Sequence, residues 1–228
     1  TEAAQQFSES EAITEAPSIV ADTVGWRHAE GLSFVSDLYF QGGLDAVSDA
    51  FARVPQSTEQ ILHPEKYIDG EAPIVVTLPD LPTVLGGGWL EQDTGTLGEF
   101  LTGLYLSAFL SAEQAESAAE GWGGDRYALL EDDQGRQLIA MLYAWDSEKE
   151  GAEYHAAYLE LAEAKSQGSW ELVRISGTRR LWVGDDITVH IERMGDKTLV
   201  IIGPDQASVE SVVDTISDLG EWVTIISN

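Results

Sequence analysis

Apolar residues recur at helical spacing in the first part of the chain. In GLSFVSDLYF the apolar positions between Leu32 and Tyr39 fall three and four residues apart, which predicts an amphipathic helix. The glycine pair at 42–43 ends this helix, and the segment LDAVSDAF predicts a second, shorter one. The dipeptide Val54-Pro55 ends the second helix, because proline cannot continue a helical hydrogen-bond ladder.

The segment STEQILHPEKYI predicts a short helix with a sharp end. Ser57 is followed three residues later by Gln60, the spacing of a capping box in which each side chain satisfies a backbone N–H. Pro64 excludes helical geometry at His63, the residue before it. We therefore interpret His63, Glu65, Lys66 and Tyr67 as a structural corner.

The next segment combines a strand, a loop and two helices. PIVVTLP at 73–79 predicts a strand between prolines, and LPTVLGGGWLEQDTG predicts a glycine-rich loop. The spacing of Thr96 and Glu99 predicts a capping box that opens an apolar helix, and Ser111 with Gln114 predicts another.

After residue 121 the pattern changes to strands. RYALLE, the turn DDQG and RQLIAMLYAW predict a β-hairpin, and Ser147 with Glu150 predicts a helix that runs to about residue 165. Further strands are predicted in WELVRI, RRLWV, DITVHIERM and TLVIIG, before a closing helix in PDQASVESVVDTISDL.

These elements predict an α+β fold, with a mainly helical N-terminal region followed by an antiparallel sheet that has helices packed on one face. We expect an extended or weakly ordered arm at residues 1–24, a helical region at 25–120 and a sheet domain at 121–228. The arm is polar and acidic and shows no periodicity.

The charge of the chain indicates its environment. Its 228 residues contain 40 acidic and 12 basic residues, a net charge of −28, while aromatic residues make up 9%. Disordered acidic tails usually lack aromatic residues, so this charge belongs to a folded surface. Molar salt shortens the Debye length to ~3 Å and relieves the repulsion, which favours a protein from a halophile. Nucleic acids and anionic membranes are disfavoured as partners for the same reason.

The sequence predicts neither a catalytic centre nor a cofactor. It contains no cysteine, no H-E-x-x-H and no G-x-S-x-G motif, and no apolar run is long enough to span a membrane. His63 and Glu65 offer one pair of metal ligands, but a closed zinc site needs four. We therefore predict no metal site.

Scarce arginines in an acidic chain are expected to be paired. Arg126 follows Asp125, and we predict that these two residues form a structural ion pair. Arg179 and Arg180 precede Trp182, and for them we also favour structural ion pairing over ligand binding.

Several motifs of this chain occur in the order and spacing found in one protein family. EGLSFVSDLYFQGG, PQSTEQILHPEKYIDGEAP, TLGEF and GWGGDRY…WDSEKEGAEY resemble the C-terminal part of a poorly characterised secreted family related to gluzincin-type zinc peptidases. The resemblance covers about residues 25–160. In that family the zinc-binding helix lies N-terminal to the matched part, so no zinc ligand is carried over to this chain. The resemblance implies that the HPEKY corner borders a former substrate cleft.

The resemblance and the charge together favour a non-catalytic binding or accessory module of a halophile, located outside the cell or at its surface, with an unknown protein or peptide partner. One alternative is the C-terminal half of a processed zinc metallopeptidase. Another is a self-assembling surface or filament subunit that forms a homo-oligomer through residues 1–24, because an extended arm can pair with a neighbouring sheet edge.

Overall fold

A computed structural model describes residues 18–216 and 218–224 of the chain. The chain divides into two compact units, Thr1–Ala72 and Pro73–Asn228. The predicted boundary at 120/121 therefore differs from the observed one, because the helices at 98–119 pack on the sheet and belong to its unit. Residues 18–24 are helical rather than extended, and the rest of the predicted arm lies outside the described residues.

The first unit is helical. Helix α1 spans Ser18–Ala52 and is interrupted at Gly43, whose φ of 65° and ψ of −154° separate the two predicted helices. Helix α2 (Glu59–Leu62) and helix α3 (Pro64–Asp69) follow. Their small core contains Phe34, Leu38 and Tyr67, and the rings of Phe34 and Tyr67 meet edge to face with centroids 5.1 Å apart.

The second unit is built around an antiparallel sheet. The strands found in the described residues are β1 Val75–Val76, β2 Leu90–Gly95, β3 Trp122–Glu131, β4 Gln137–Trp145, β5 Glu171–Ser176, β6 Arg179–Val183, β7 Thr188–Met194, β8 Lys197–Gly203 and β9 Val223–Thr224. The large sheet has the strand order β2-β3-β4-β8-β7-β6-β5, and a separate two-stranded sheet pairs β1 with β9. The helices of this unit are α4 Leu81–Leu85, α5 Gly98–Ser107, α6 Ala112–Ala119, α7 Glu148–Ser166 and α8 Gln206–Thr215, and a 3-10 turn spans Leu219–Trp222.

Both faces of the large sheet are covered. Helices α5, α6 and α7 pack on one face, which we call the α7 face, around Trp145 and Tyr154. Helices α4 and α8 pack on the opposite α8 face, around Leu81 and Val209. The predicted α+β fold, a mainly helical N-terminal region followed by an antiparallel sheet with packed helices, is confirmed, and the structure adds that helices cover both faces of the sheet. In strand β4, apolar side chains that point to either face of the sheet are buried, as expected for a sheet with both faces covered.

Two of the predicted caps form in full. The hydroxyl of Ser111 forms the predicted capping box with Gln114, and Ser147 caps α7 by accepting from the Lys149 amide. At Ser57 only half of the predicted capping box forms: Ser57 Oγ accepts from the backbone amide of Gln60, while the Gln60 side chain accepts from the Gln56 amide. Thr96 does not cap α5. The start of α5 is held instead by the carboxylate of Asp125 on β3, which accepts from the Leu97 and Gly98 amides. This contact joins residues far apart in sequence, so no local sequence pattern predicts it.

The segment predicted as a glycine-rich loop contains two regular elements. It forms the short helix α4 and the edge strand β2, and only its centre is a glycine turn. Among the described residues no helix combines the length and the apolarity needed to cross a membrane.

Candidate functional site: the arginine edge

Four of the eight arginines of this acidic chain lie at one end of the large sheet. We call this region the arginine edge and define it as strand β5 together with Arg174, Arg179, Arg180 and Arg193. The four arginines come from β5, β6 and β7, which are consecutive strands in the sheet. Positive charge is therefore concentrated where the sheet ends.

Strand β5 is the outermost strand of the sheet. Among the described residues it pairs with β6 alone, and each of its six residues is exposed. Ile175 has 64% of its surface exposed and Leu172 has 42%. The pairing register shifts between Leu172 and Arg174, which marks a bulge at Val173. An edge strand of this kind presents backbone N–H and C=O groups that can pair with another extended chain.

On the α8 face the arginines are compensated by carboxylates. Arg174 Nη2 lies 2.6 Å from Glu210 Oε1, and Arg179 Nε lies 2.7 Å from Glu192 Oε1. The prediction of structural ion pairing is therefore confirmed for Arg179.

The buried residue His190 extends this network. Its Nε2 lies 3.7 Å from Glu192 Oε2. Burial would raise the pKa of Glu192, but the contacts with His190 and Arg179 outweigh burial and hold that pKa below its ordinary value. The pairs on this face thus fix the strands to one another and to α8.

On the α7 face the arginines have no carboxylate partner within the described part of the chain. Arg180 Nη1 donates to the carbonyl oxygens of Gly177 and Arg179, both at 2.8 Å. Arg193 Nη1 donates to the carbonyl of Gly195 at 2.7 Å. The prediction of ion pairing is therefore wrong for Arg180. Its guanidinium group reaches the turn between β5 and β6 and retains N–H donors for a further acceptor.

His155 of α7 lies close enough to these arginines for their charges to lower its pKa. Its Nε2 lies 2.7 Å from the carbonyl oxygen of Thr178, in the turn beside Arg180. Burial lowers the pKa of His155, and the charges of Arg180 and Arg193 lower it further, while the hydrogen bond with Thr178 opposes the fall. The α7 face of the arginine edge is thus a net positive environment.

The HPEKY corner lies in the helical unit. His63 links α2 to α3 with non-helical φ and ψ of −122° and 79°, as Pro64 requires. Its Nδ1 is 3.8 Å from Glu65 Oε1, and these are two potential ligands where a closed zinc site takes four.

The other two residues of the corner have structural contacts. Lys66 Nζ lies 2.7 Å from Glu59 Oε1 and 3.0 Å from Glu71 Oε1. The buried Tyr67 donates its hydroxyl to the Arg53 carbonyl at 2.7 Å, beneath the Arg53 guanidinium group. These contacts favour the structural interpretation of the corner.

Asp125 does not form the predicted ion pair with Arg126. Successive strand residues point to opposite faces of a sheet, so the two side chains diverge. The buried carboxylate of Asp125 accepts from the Leu97 and Gly98 amides at 2.9 Å and from Trp122 Nε1 at 2.8 Å. Burial raises the pKa of Asp125, and these three hydrogen bonds oppose the rise. Its role is to anchor α5 to the sheet.

Beside Asp125, tyrosines pack between the sheet and helices α5 and α7. The rings of Tyr143 and Tyr154 have centroids 4.9 Å apart, and those of Tyr154 and Tyr158 are 6.1 Å apart. Burial raises the pKa of each of these three phenols, as it does for Tyr105. Phenols held neutral in this way fill the core of the α7 face.

Sequence reasoning found the strands of the arginine edge but not its position. WELVRI was identifiable as a strand, yet nothing in its residues states that it is the last strand of the sheet. The clustering of Arg174, Arg179, Arg180 and Arg193 within 20 residues of a chain with 12 basic residues is the signal that points to it.

Comparison with known proteins identifies the family of the chain. No curated protein matches it. Among solved structures, it is similar to the extracellular domain of PknH from Mycobacterium tuberculosis, with 8% sequence identity and a TM-score of 0.35, over 63% of this chain and 92% of that one. Residues 84–213, which include the whole arginine edge, match the model of a domain of unknown function, DUF8575. This match covers more than half of the chain, which therefore belongs to the DUF8575 family.

Proposed function

We propose that the protein is a salt-adapted, non-catalytic binding module that acts outside the cell. Its partner is an extended protein segment, which adds to the large sheet as a further strand beside β5. The residues of the arginine edge hold this segment, and the protein itself carries out no bond-making or bond-breaking step.

The exposure of all six residues of β5 carries this proposal. Proteins usually protect edge strands by covering them, shortening them or placing charges on them, since an open edge pairs with other chains. Here a six-residue edge keeps Leu172 and Ile175 exposed, and its protection consists of the bulge at Val173 and the charged residues Glu171 and Arg174. Strand addition uses main-chain hydrogen bonds for affinity and alternate side chains for specificity.

The remaining parts of the proposal have separate support. The net charge of −28 favours adaptation to high salt, where screening relieves repulsion between carboxylates. The extracellular or cell-surface location and the relation to zinc peptidases rest on the resemblance of residues 25–160 to a secreted, peptidase-related family.

Selection of peptides from a random library tests the proposal directly. Random 12-residue peptides displayed on phage would be selected against the full chain in molar KCl. The expected binders adopt an extended conformation, and synthetic versions lose binding when alternate backbone nitrogens are methylated, because strand pairing needs those N–H groups. Binders that tolerate this methylation, or a selection without binders, would contradict the proposal. Zinc retention or peptide cleavage by a longer precursor would favour the peptidase alternative.

A further inference from the structure

The opposite end of the large sheet is also an open edge, and its charge is negative. Within residues 18–216 and 218–224, strand β2 pairs with β3 alone, and Leu90 has 63% of its surface exposed. The strand carries Glu91 and Asp93 and no basic residue. Its register shifts between these two residues, so β2 contains a bulge just as β5 does. The two edge strands therefore have the same length but differ in charge. Strand β2 is negative, whereas β5 carries Glu171 and Arg174 and lies beside Arg180 and Arg193, which have no carboxylate partner in the described part of the chain.

The topology orients these edges so that they fit each other across two copies. Six successive antiparallel pairings separate β2 from β5, so the two strands run in the same direction. A second copy placed beside the first, facing the same way, brings its β2 parallel to β5 with the faces of the two sheets aligned. Each copy then continues the sheet of its neighbour.

Matching of the faces and of the charges selects one alignment. Glu171, Arg174 and Ser176 lie on the α8 face of β5, and of these only Arg174 is opposite in charge to Glu91. Glu91 is opposite Leu130 and Arg174 is opposite Leu181, and both leucines belong to the core on the α8 face.

Asp93 lies on the other face, where its Oδ2 accepts from the Tyr127 hydroxyl at 2.7 Å. Ile175 is on this α7 face too, opposite Arg180 on β6. The face-matched alignment places Glu91 beside Arg174, and Asp93 beside Ile175 within the reach of Arg180.

We infer that the partner segment at β5 is the β2 edge of a second copy of this chain, so that the protein assembles head to tail into an extended sheet. The inference rests on the proposed function, because it names the occupant of the same edge. Pairing of β2 with β2 would oppose carboxylates. Antiparallel pairing of β5 with β5 can set Glu171 against Arg174, but it closes a dimer and leaves the β2 edge of each copy open. The mixed pairing joins two different surfaces and does not close, so it generates an open series of oligomers.

Charge reversal on both edges tests the inference. Sedimentation velocity of the full chain would be measured over a range of protein concentrations, at the lowest KCl concentration that keeps the protein folded. Wild type is expected to form oligomers that grow with concentration. Glu91→Arg and Arg174→Glu should each raise the concentration needed for assembly about fivefold or more, since each opposes like charges. An equimolar mixture of the two variants should assemble again, because each edge then meets its complement.

Matched controls separate the edge contact from net charge. Lys149→Glu changes the charge as Arg174→Glu does, and Glu113→Arg changes it as Glu91→Arg does, but both sites lie on helices. Neither control should alter assembly. A wild type that stays monomeric, a closed dimer, or a mixture that fails to assemble would overturn the inference. If selected peptides still bind β5 in that case, the proposed function stands with a different partner.

Discussion

Replacement of Asp125 tests the contact that anchors α5 to the sheet. Asp125→Ala removes the acceptor for two amides at the start of α5 and for the indole N–H of the buried Trp122. Loss of a helix cap costs about 1 kcal/mol, and an orphaned buried donor costs about 1–3 kcal/mol. We therefore expect Asp125→Ala to lower the free energy of unfolding by about 2–4 kcal/mol.

Asp125→Asn provides a graded comparison. Oδ1 of Asp125 accepts from both Gly98 and Trp122, and an amide oxygen in its place can keep both bonds. Only the bond from Leu97 to Oδ2 is then lost, because an amide NH2 group cannot accept it. We expect a cost of about 1–2 kcal/mol, smaller than that of the alanine variant.

Urea unfolding at fixed molar KCl measures both variants, since urea is uncharged and leaves the ionic strength constant. Tryptophan fluorescence follows the transition, and Trp122 reports directly on the site. An alanine variant within about 0.5 kcal/mol of wild type would refute the reasoning, because that is the range of ordinary surface substitutions. An asparagine variant as unstable as the alanine variant would show that the charge of Asp125, rather than its acceptor positions, anchors α5.

Three further predictions concern stability. The melting temperature should rise steeply from dilute buffer to molar KCl, because salt screens the −28 charge, and a flat profile in calorimetry would contradict the adaptation to salt. Tyr143, Tyr154 and Tyr158 have raised pKa values in the folded state, so the stability that they contribute is present below about pH 10 and is lost as the pH rises above it. The absorbance of three of the seven tyrosinates should therefore appear only with unfolding, and the absorbance of all seven in folded protein would contradict the burial of these three. Ser57→Ala should cost about 0.5–2 kcal/mol in urea unfolding, since Ser57 Oγ accepts from the Gln60 amide, and an unchanged midpoint would show that this cap is dispensable.

Local sequence rules predicted the elements that depend on neighbouring residues. The capping box of Ser111, the helix start at Ser147 and the turn between β3 and β4 are each specified within a few positions, and the structure has all three. Pro64, the first residue of α3, likewise determines the backbone at His63.

Features set by distant residues were not predictable in this way. Strand β2 has a bulge and lies at the edge of the sheet, so its sequence LEQDTG lacks the alternation that marks a half-buried strand. The cap of α5 comes from Asp125, more than 20 residues away. The order of strands, which makes β5 and β2 the two edges, depends on the packing of the whole unit. The candidate site follows from that order and could not be derived from the motif search.

Hydrogen–deuterium exchange at β5 tests the central claim most directly. The backbone amides of residues 171–176 would be followed in molar KCl, with and without a saturating selected peptide, at a protein concentration where sedimentation shows the free chain as a monomer. The account predicts that the peptide slows exchange in this strand and leaves the amides of β2 unchanged. A peptide that binds without slowing exchange in residues 171–176 would contradict the assignment of β5 as the binding edge.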